Sequence, residues 1–235
     1  TDSGAEVVFE DDGTNSSFVN NPDLVDISDA GTKLIFQNGW DDTGDTISQG
    51  YVALDTENQE IQVNDATLTS NVDLGGGSDR FSLDLDQGAL LSTSTVDGGA
   101  AADDIFVLNS TTSNTIDDQI ASIANSNVIN FEEMGVSGGG TFSTGFTGGD
   151  TYFTYSDGTT ENALTQIEIL DAGTTLELGT DYDDTGNALT AGIIGDTTGN
   201  NLSIAGVLTS DVDMGLGDDE ATITGTVSSA NFTLN

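Results

Sequence analysis

Forty-one acidic side chains face two basic ones in a chain of 235 residues, a formal net charge of −39 with no His and no Cys. Any fold must hold these carboxylates apart or neutralise them. Two like charges about 4 Å apart repel by about 1 kcal/mol in bulk water and by about 4 kcal/mol at an effective dielectric of ~20. Lys33 and Arg80, the two cations, are too few to do it. What remains is bound Ca²⁺, high salt, or plain solvation of a spread surface. Thirty-one of the acids are Asp, the short carboxylate that turns favour and that binds hard cations. A salt-adapted surface should draw on Glu as well and scatter both, whereas calcium sites set Asp beside Gly in turns. The Asp excess and its doublets therefore point to calcium.

The same charge excludes nucleic acid as a natural partner, because phosphate binding needs Lys and Arg, and it disfavours anionic membranes. No apolar run approaches the roughly 18 residues of a spanning helix, so no membrane insertion is expected. Absence of Cys means that no disulfide framework is available. Thr1 without an initiator Met suggests a processed secreted chain or an excised segment.

Comparing the chain with itself gives its organisation. Residues 25–44, VDISDAGTKLIFQNGWDDTG, align with residues 167–186, IEILDAGTTLELGTDYDDTG, with ten identities in twenty positions at an offset of 142. Farther on, LTSNVDLGGGSDRFSL from Leu68 meets LTSDVDMGLGDDEATI from Leu208 at an offset of 140, with eight identities in sixteen. The chain thus reads as one complete repeat unit, residues 1–145, and a second, truncated unit, residues 146–235, continuous with the first.

Within each unit the apolar residues come in strand-length bursts, among them Leu34 to Phe36, Ile61 to Val63, Phe81 to Leu85 and Ile105 to Leu108, separated by Gly, Asp, Asn or Thr clusters. The expected fold is all-β. Thr115 to Asn125 alone reads as helix, with a capping-box-like start at Thr115 and Asp118 and with Ile116, Ile120 and Ile123 on one face. Tandem β-sandwich domains would want regularly spaced strands and usually a tryptophan-centred core. A parallel β-solenoid of the β-helix or β-roll kind wants short strands, tight Gly and Asp corners and almost no Pro. One Pro, 30 Gly and one Trp favour the solenoid, with the sandwich as alternative.

Three Gly-rich turns carry a family likeness. Gly98-Gly99-Ala100-Ala101-Ala102-Asp103-Asp104-Ile105-Phe106 resembles the G-G-x-G-x-D-x-U-x nonapeptide of repeats-in-toxin proteins, with Ala101 where the third Gly belongs. Gly75-Gly76-Gly77-Ser78-Asp79-Arg80-Phe81 is similar to it from the second Gly onward, and Gly215-Leu216-Gly217-Asp218-Asp219-Glu220-Ala221 repeats the pattern 140 residues later. The resemblance implies a secreted calcium-binding β-roll, with Gly75, Gly77, Asp79, Gly99, Asp103, Gly217 and Asp219 as metal-site residues. Gly permits the left-handed turn and inward carbonyls, Asp supplies the carboxylate, and the next apolar residue starts the strand. Members of that family carry the motif in tandem, whereas Asp79 and Asp103 lie 24 residues apart.

A further metal candidate is Asp181-Tyr182-Asp183-Asp184-Thr185-Gly186, which contains the D-x-D-x-x-G start of an EF-type loop, with Asp181 and Asp183 as ligands; Gly192 stands where the bidentate Glu would be. An Asp-rich solvated loop is the bland alternative. Catalysis finds little support, since neither His nor Cys is present to act as general base, nucleophile or zinc ligand. The acidic pairs Glu132-Glu133 and Asp117-Asp118 read as surface charge, because neighbours on a strand point to opposite faces. Trp40, Tyr51 and Tyr182 are candidate sugar-stacking platforms, or more simply packing residues.

These readings combine into an extracellular, calcium-stabilised, non-enzymatic structural protein: a fibre or surface-layer subunit, a segment of a giant adhesin, or a non-catalytic calcium module of a secreted enzyme. The expected partner is another copy, joined head to tail through Val7 to Phe9 and Phe232 to Leu234, with cell surface or polysaccharide as further partners.

Overall fold

The computed structural model describes residues 4–11, 23–43, 47–86, 90–91, 94–100, 103–116, 127–146, 151–228 and 231–234. They form two compact units, one taking in described residues up to 107 with 127–131 and 156–159, the other 108–116, 132–155 and 160 onward.

In the first unit, Glu6–Glu10, Lys33–Gln37, Glu60–Val63 and Arg80–Asp84 lie side by side, all parallel and in register. Val7, Leu34, Ile61 and Phe81 stand in one row, and Glu6, Lys33, Glu60 and Arg80 in the row before it. A second sheet stacks Val25–Asp26, Tyr51–Val52, Val72–Asp73, Thr95–Asp97 and Asn127–Ile129, again parallel. A third joins Trp40–Asp41, Ala66–Leu68 and Leu90–Leu91. From Lys33 onward the chain visits the first sheet, then the third, then the second, and repeats that order. The period-2 pattern explains the interior: Leu34, Phe36, Ile61, Val63, Phe81 and Leu83 are buried, while Lys33, Gln37 and Glu60 are not. Ring packing reinforces the rows, with Phe9 on Phe36 at 4.9 Å and Phe81 on Phe106 at 5.6 Å between centroids.

The second unit is built alike. Glu133–Ser137, Gln166–Ile169, Gly192–Gly195, Val212–Asp213 and Phe232–Thr233 form one parallel sheet. Ser113–Ile116, Thr141–Thr144, Thr175–Leu178, Asn201–Ile204 and Glu220–Ile223 form another. Stacking this close admits only Gly at some corners. A Cβ on Gly50 would lie 2.2 Å from the Asn71 carbonyl oxygen, and one on Gly192 would lie 2.5 Å from that of Asp211. These are corresponding contacts, with Gly50 and Gly192 142 residues apart and Asn71 and Asp211 140 apart.

The all-β expectation holds, and parallel pairing in these sheets does not fit tandem sandwiches, whose sheets are antiparallel. The expected helix is corrected at its start. Thr115 and Ile116 belong to the strand Ser113–Ile116, paired with Thr141–Thr144, because Ser113, Asn114, Thr115 and Ile116 alternate outward and inward like the strands they adjoin. Residues 117–125 lie outside the described set, as do Ala101, Ala102, Asp117 and Asp118.

Candidate cation sites at the glycine-rich turns

Two kinds of aspartate recur among the described residues. At ten corners among the described residues an Asp carboxylate accepts the amide of the residue two places on: Asp26 from Ser28, Asp41 from Thr43, Asp55 from Glu57, Asp73 from Gly75, Asp84 from Asp86, Asp97 from Gly99, Asp157 from Thr159, Asp183 from Thr185, Asp196 from Thr198 and Asp213 from Gly215. Asp forms this local turn and Glu, one methylene longer, does not match it. Much of the Asp excess therefore has a backbone cause that needs no metal. Bonds from the Ser28 hydroxyl and amide hold Asp26 below the usual carboxylate range, and those from Thr185 do the same for Asp183. Burial works to raise Asp196, yet its bonds from Thr198, Asp171 and Asn200 leave it lowered on balance.

The second kind is internal. Thr32, Gln59, Asp79 and Asp104 each precede a strand of the first unit, and all four are buried. Backbone bonds stack them rung on rung, Glu60 N–H donating to Thr32 O, Arg80 N–H to Gln59 O and Ile105 N–H to Asp79 O. Within this column the Gln59 amide donates to Asp79 Oδ1 at 2.6 Å, and the Asp79 amide to Asp104 Oδ1 at 2.8 Å. The side-chain amide of Gln59 is turned to Asp55 Oδ1, 3.2 Å away. In this column Asp79 Oδ2 and Gln59 Oε1 are buried with no donor. Burial, joined by the charges of Asp104 and Asp55 and only partly offset by the Gln59 amide, pushes the Asp79 carboxyl up to about 7.

The glycines of this turn take backbone that side chains rarely adopt. Gly75 and Gly77 take φ of 78° and 126°, and a Cβ there would meet the carbonyl oxygens of Ala53 and Glu57 at 2.6 and 2.4 Å. Gly99, at φ 111°, lies over the Gly75 carbonyl. Carbonyl oxygens are thus packed tightly around the turn that carries Asp79.

The second unit repeats the Asp79 part of this arrangement, while Asn200, in the place of Gln59, has its side-chain oxygen bonded to the Asp196 amide. Asp219 Oδ1 accepts the Asn200 amide at 2.9 Å, and Asp219 Oδ2 is buried without a partner. Gly217, at φ 149°, packs on the Thr198 carbonyl. Asp79 and Asp219, 140 residues apart, therefore hold equivalent places.

Asp103 is displaced from this geometry. It is exposed, and its neighbour Asp104 occupies the position equivalent to Asp79. The loop from Gly99 to Asp104 is one residue longer than that from Gly75 to Asp79. Aligning on Phe81 and Phe106, whose rings stack, instead of on the glycines would have found Asp104.

In the EF-like segment the carboxylates go separate ways. Asp181 accepts from the Thr144 hydroxyl and the Phe146 amide, both at 2.9 Å, and Asp183 makes its exposed local turn. Asp184 is fully buried and clamps the next rung, accepting from the amides and hydroxyls of both Thr209 and Ser210. Asp42 does the same with Thr69 and Ser70. Beside these clamps burial, then the adjacent carboxylate, pushes the Tyr51 and Tyr182 hydroxyls up. Tyr51, Tyr182 and Trp40 are all buried and offer no open face for sugar stacking.

Among the described residues no three His, Cys, Asp or Glu side chains gather as a metal cluster. The Asp79 site instead mixes carboxylate and amide oxygens, hard donors of the kind calcium accepts alongside main-chain carbonyls. No family model, curated protein or solved structure matches this chain.

Proposed function

We propose that this chain is an extracellular β-solenoid module with a mechanical or adhesive role, part of a fibre, surface layer or adhesin, stabilised by calcium at its Gly-rich turns. The supporting observation is the recurrence of one turn in both units: Asp79 and Asp219 each hold the preceding rung's amide with one oxygen and bury the other without a partner. The parallel, in-register stacking and cyclic visiting of sheets support the solenoid reading. A stack of this kind exposes long ranks of polar side chains and can bind other copies through strand edges, where Val8 and Leu234 are exposed.

The test is circular dichroism and thermal melting in EDTA, in millimolar Ca²⁺, and in NaCl of matched ionic strength, with electron microscopy of the calcium sample. The reading expects calcium to raise the melting temperature far beyond NaCl, and fibres or sheets to form. The ten local Asp turns favour a second reading, a salt-solvated acidic surface; equal responses to Ca²⁺ and NaCl would select it and remove calcium from the account.

A further inference from the structure

Asp79 Oδ2 and Gln59 Oε1 are both acceptors, both buried, and both on one column of adjoining rungs. Two buried hydrogen-bond acceptors with no donor are destabilising unless something positive sits between or beside them. Neither cation of the chain serves, since Lys33 is engaged with Glu60 on the outer row and Arg80 belongs to that same row. Gln59 also turns its side-chain nitrogen toward Asp55.

We infer that a divalent cation of the calcium class binds inside the column, held by Asp79 Oδ2 and Gln59 Oε1, with Gln59 a ligand that no turn motif identifies. This rests on the calcium reading and sharpens it. The ion belongs to the interior position before the strand, not to the exposed corner aspartates such as Asp103 and Asp183, whose carboxylates face water or their own turn amides. Asp104, fully buried one rung on and bound to the Asp79 amide, brings a second negative charge to the same column. The alternative occupant is a single proton on Asp79, donated to Gln59.

The experiment is calorimetric titration of the chelated full chain with CaCl₂, paired with melting temperatures, for the parent, Asp79→Asn, Gln59→Glu and Asp103→Asn. The cation account expects Asp79→Asn to lose one bound Ca²⁺ per chain together with its share of the melting shift, and Asp103→Asn to change neither. It expects Gln59→Glu, which adds a carboxylate ligand, to tighten that site about tenfold. Should Asp79→Asn fail to fold, the Gln59→Glu result decides alone: unchanged or weaker calcium binding overturns the inference. If the parent binds calcium but Asp79→Asn keeps the full stoichiometry, the inference falls while the wider calcium reading stands; if the parent binds none, both fall. A proton account gives an Asp79→Asn protein that is as stable as the parent, or more so, with calcium binding unaltered.

Discussion

The Lys33 ammonium lies 3.4 Å from Glu60 Oε1 on the next strand, and the row they share runs Glu6, Lys33, Glu60, Arg80 in register. Both cations of a chain with net charge −39 thus stand at alternate places in one rank of acids. Parallel register brings like positions about 4.8 Å apart, so an unbroken acidic rank would repel at every step.

Lys33→Glu would make Glu6, residue 33 and Glu60 three successive negative charges. Both partners of the ion pair are about a third exposed and screened, so replacing Lys33 by a neutral residue should cost no more than about 1 kcal/mol. Reversal should cost roughly 1–2 kcal/mol at low salt and much less near 1 M NaCl. Denaturant unfolding at the two salt concentrations checks this; a salt-independent loss would mean that the row matters through packing.

Asp184 should be among the costliest polar positions to change. Asp184→Ala strips the Thr209 and Ser210 amides and hydroxyls of their acceptor in a buried place. A loss of roughly 2–4 kcal/mol is expected, and Asp42→Ala should match it, since Asp42 holds Thr69 and Ser70 identically. Equilibrium unfolding measures both. A change near zero at either site would show that the clamp adds no net stability.

The corner aspartates are predicted to need length more than charge. Asp213 accepts the Gly215 amide at 3.1 Å, a bond that Asn can keep and Glu cannot. Asp213→Asn should leave the melting temperature unchanged or higher, since a charge leaves a crowded surface, and Asp213→Glu should lower it. Tolerance of Glu would remove the turn explanation of the Asp excess.

These two kinds of aspartate show what could be read from the chain. Strand positions were legible because the apolar bursts are short and alternate, and the repeat was legible because Asp184 and Asp42 sit in matching sentences of sequence. The roles inside the doublets were not. Asp41-Asp42 and Asp183-Asp184 look like paired ligands, yet one member turns to its own backbone and the other is sealed inside. Counting from Gly99 selects Asp103 because it ignores the extra residue in that loop, and only the rung beneath it shows that Asp104 meets the Asp79 amide. Gln59 carries no motif; its part follows from its buried side-chain oxygen, which has no donor.

Acid should act on chelated protein in two opposed ways. Asp79 is held up to about 7 by burial, so between its ordinary value of 3.8 and that point the folded chain binds more proton than the unfolded one. Its contribution is fully present below 3.8 and is lost as pH rises toward about 7. Asp26, Asp183 and Asp196 are lowered, so their contribution is present above the ordinary carboxylate range and is lost on acidification below it. In EDTA, stability should therefore peak at about pH 4–5 and decline toward pH 7, and in Asp79→Asn the decline should be shallower. Chemical unfolding across pH checks it; identical profiles for parent and variant would contradict the assignment.

The most direct measurement is a high-resolution crystal structure grown in calcium, with anomalous differences collected on the calcium signal. The account predicts a peak in the Gln59–Asp79 column, with Asp79 Oδ2 and Gln59 Oε1 each about 2.3–2.6 Å from it. A map with no peak there, and with those two oxygens instead sharing one short hydrogen bond, would contradict it.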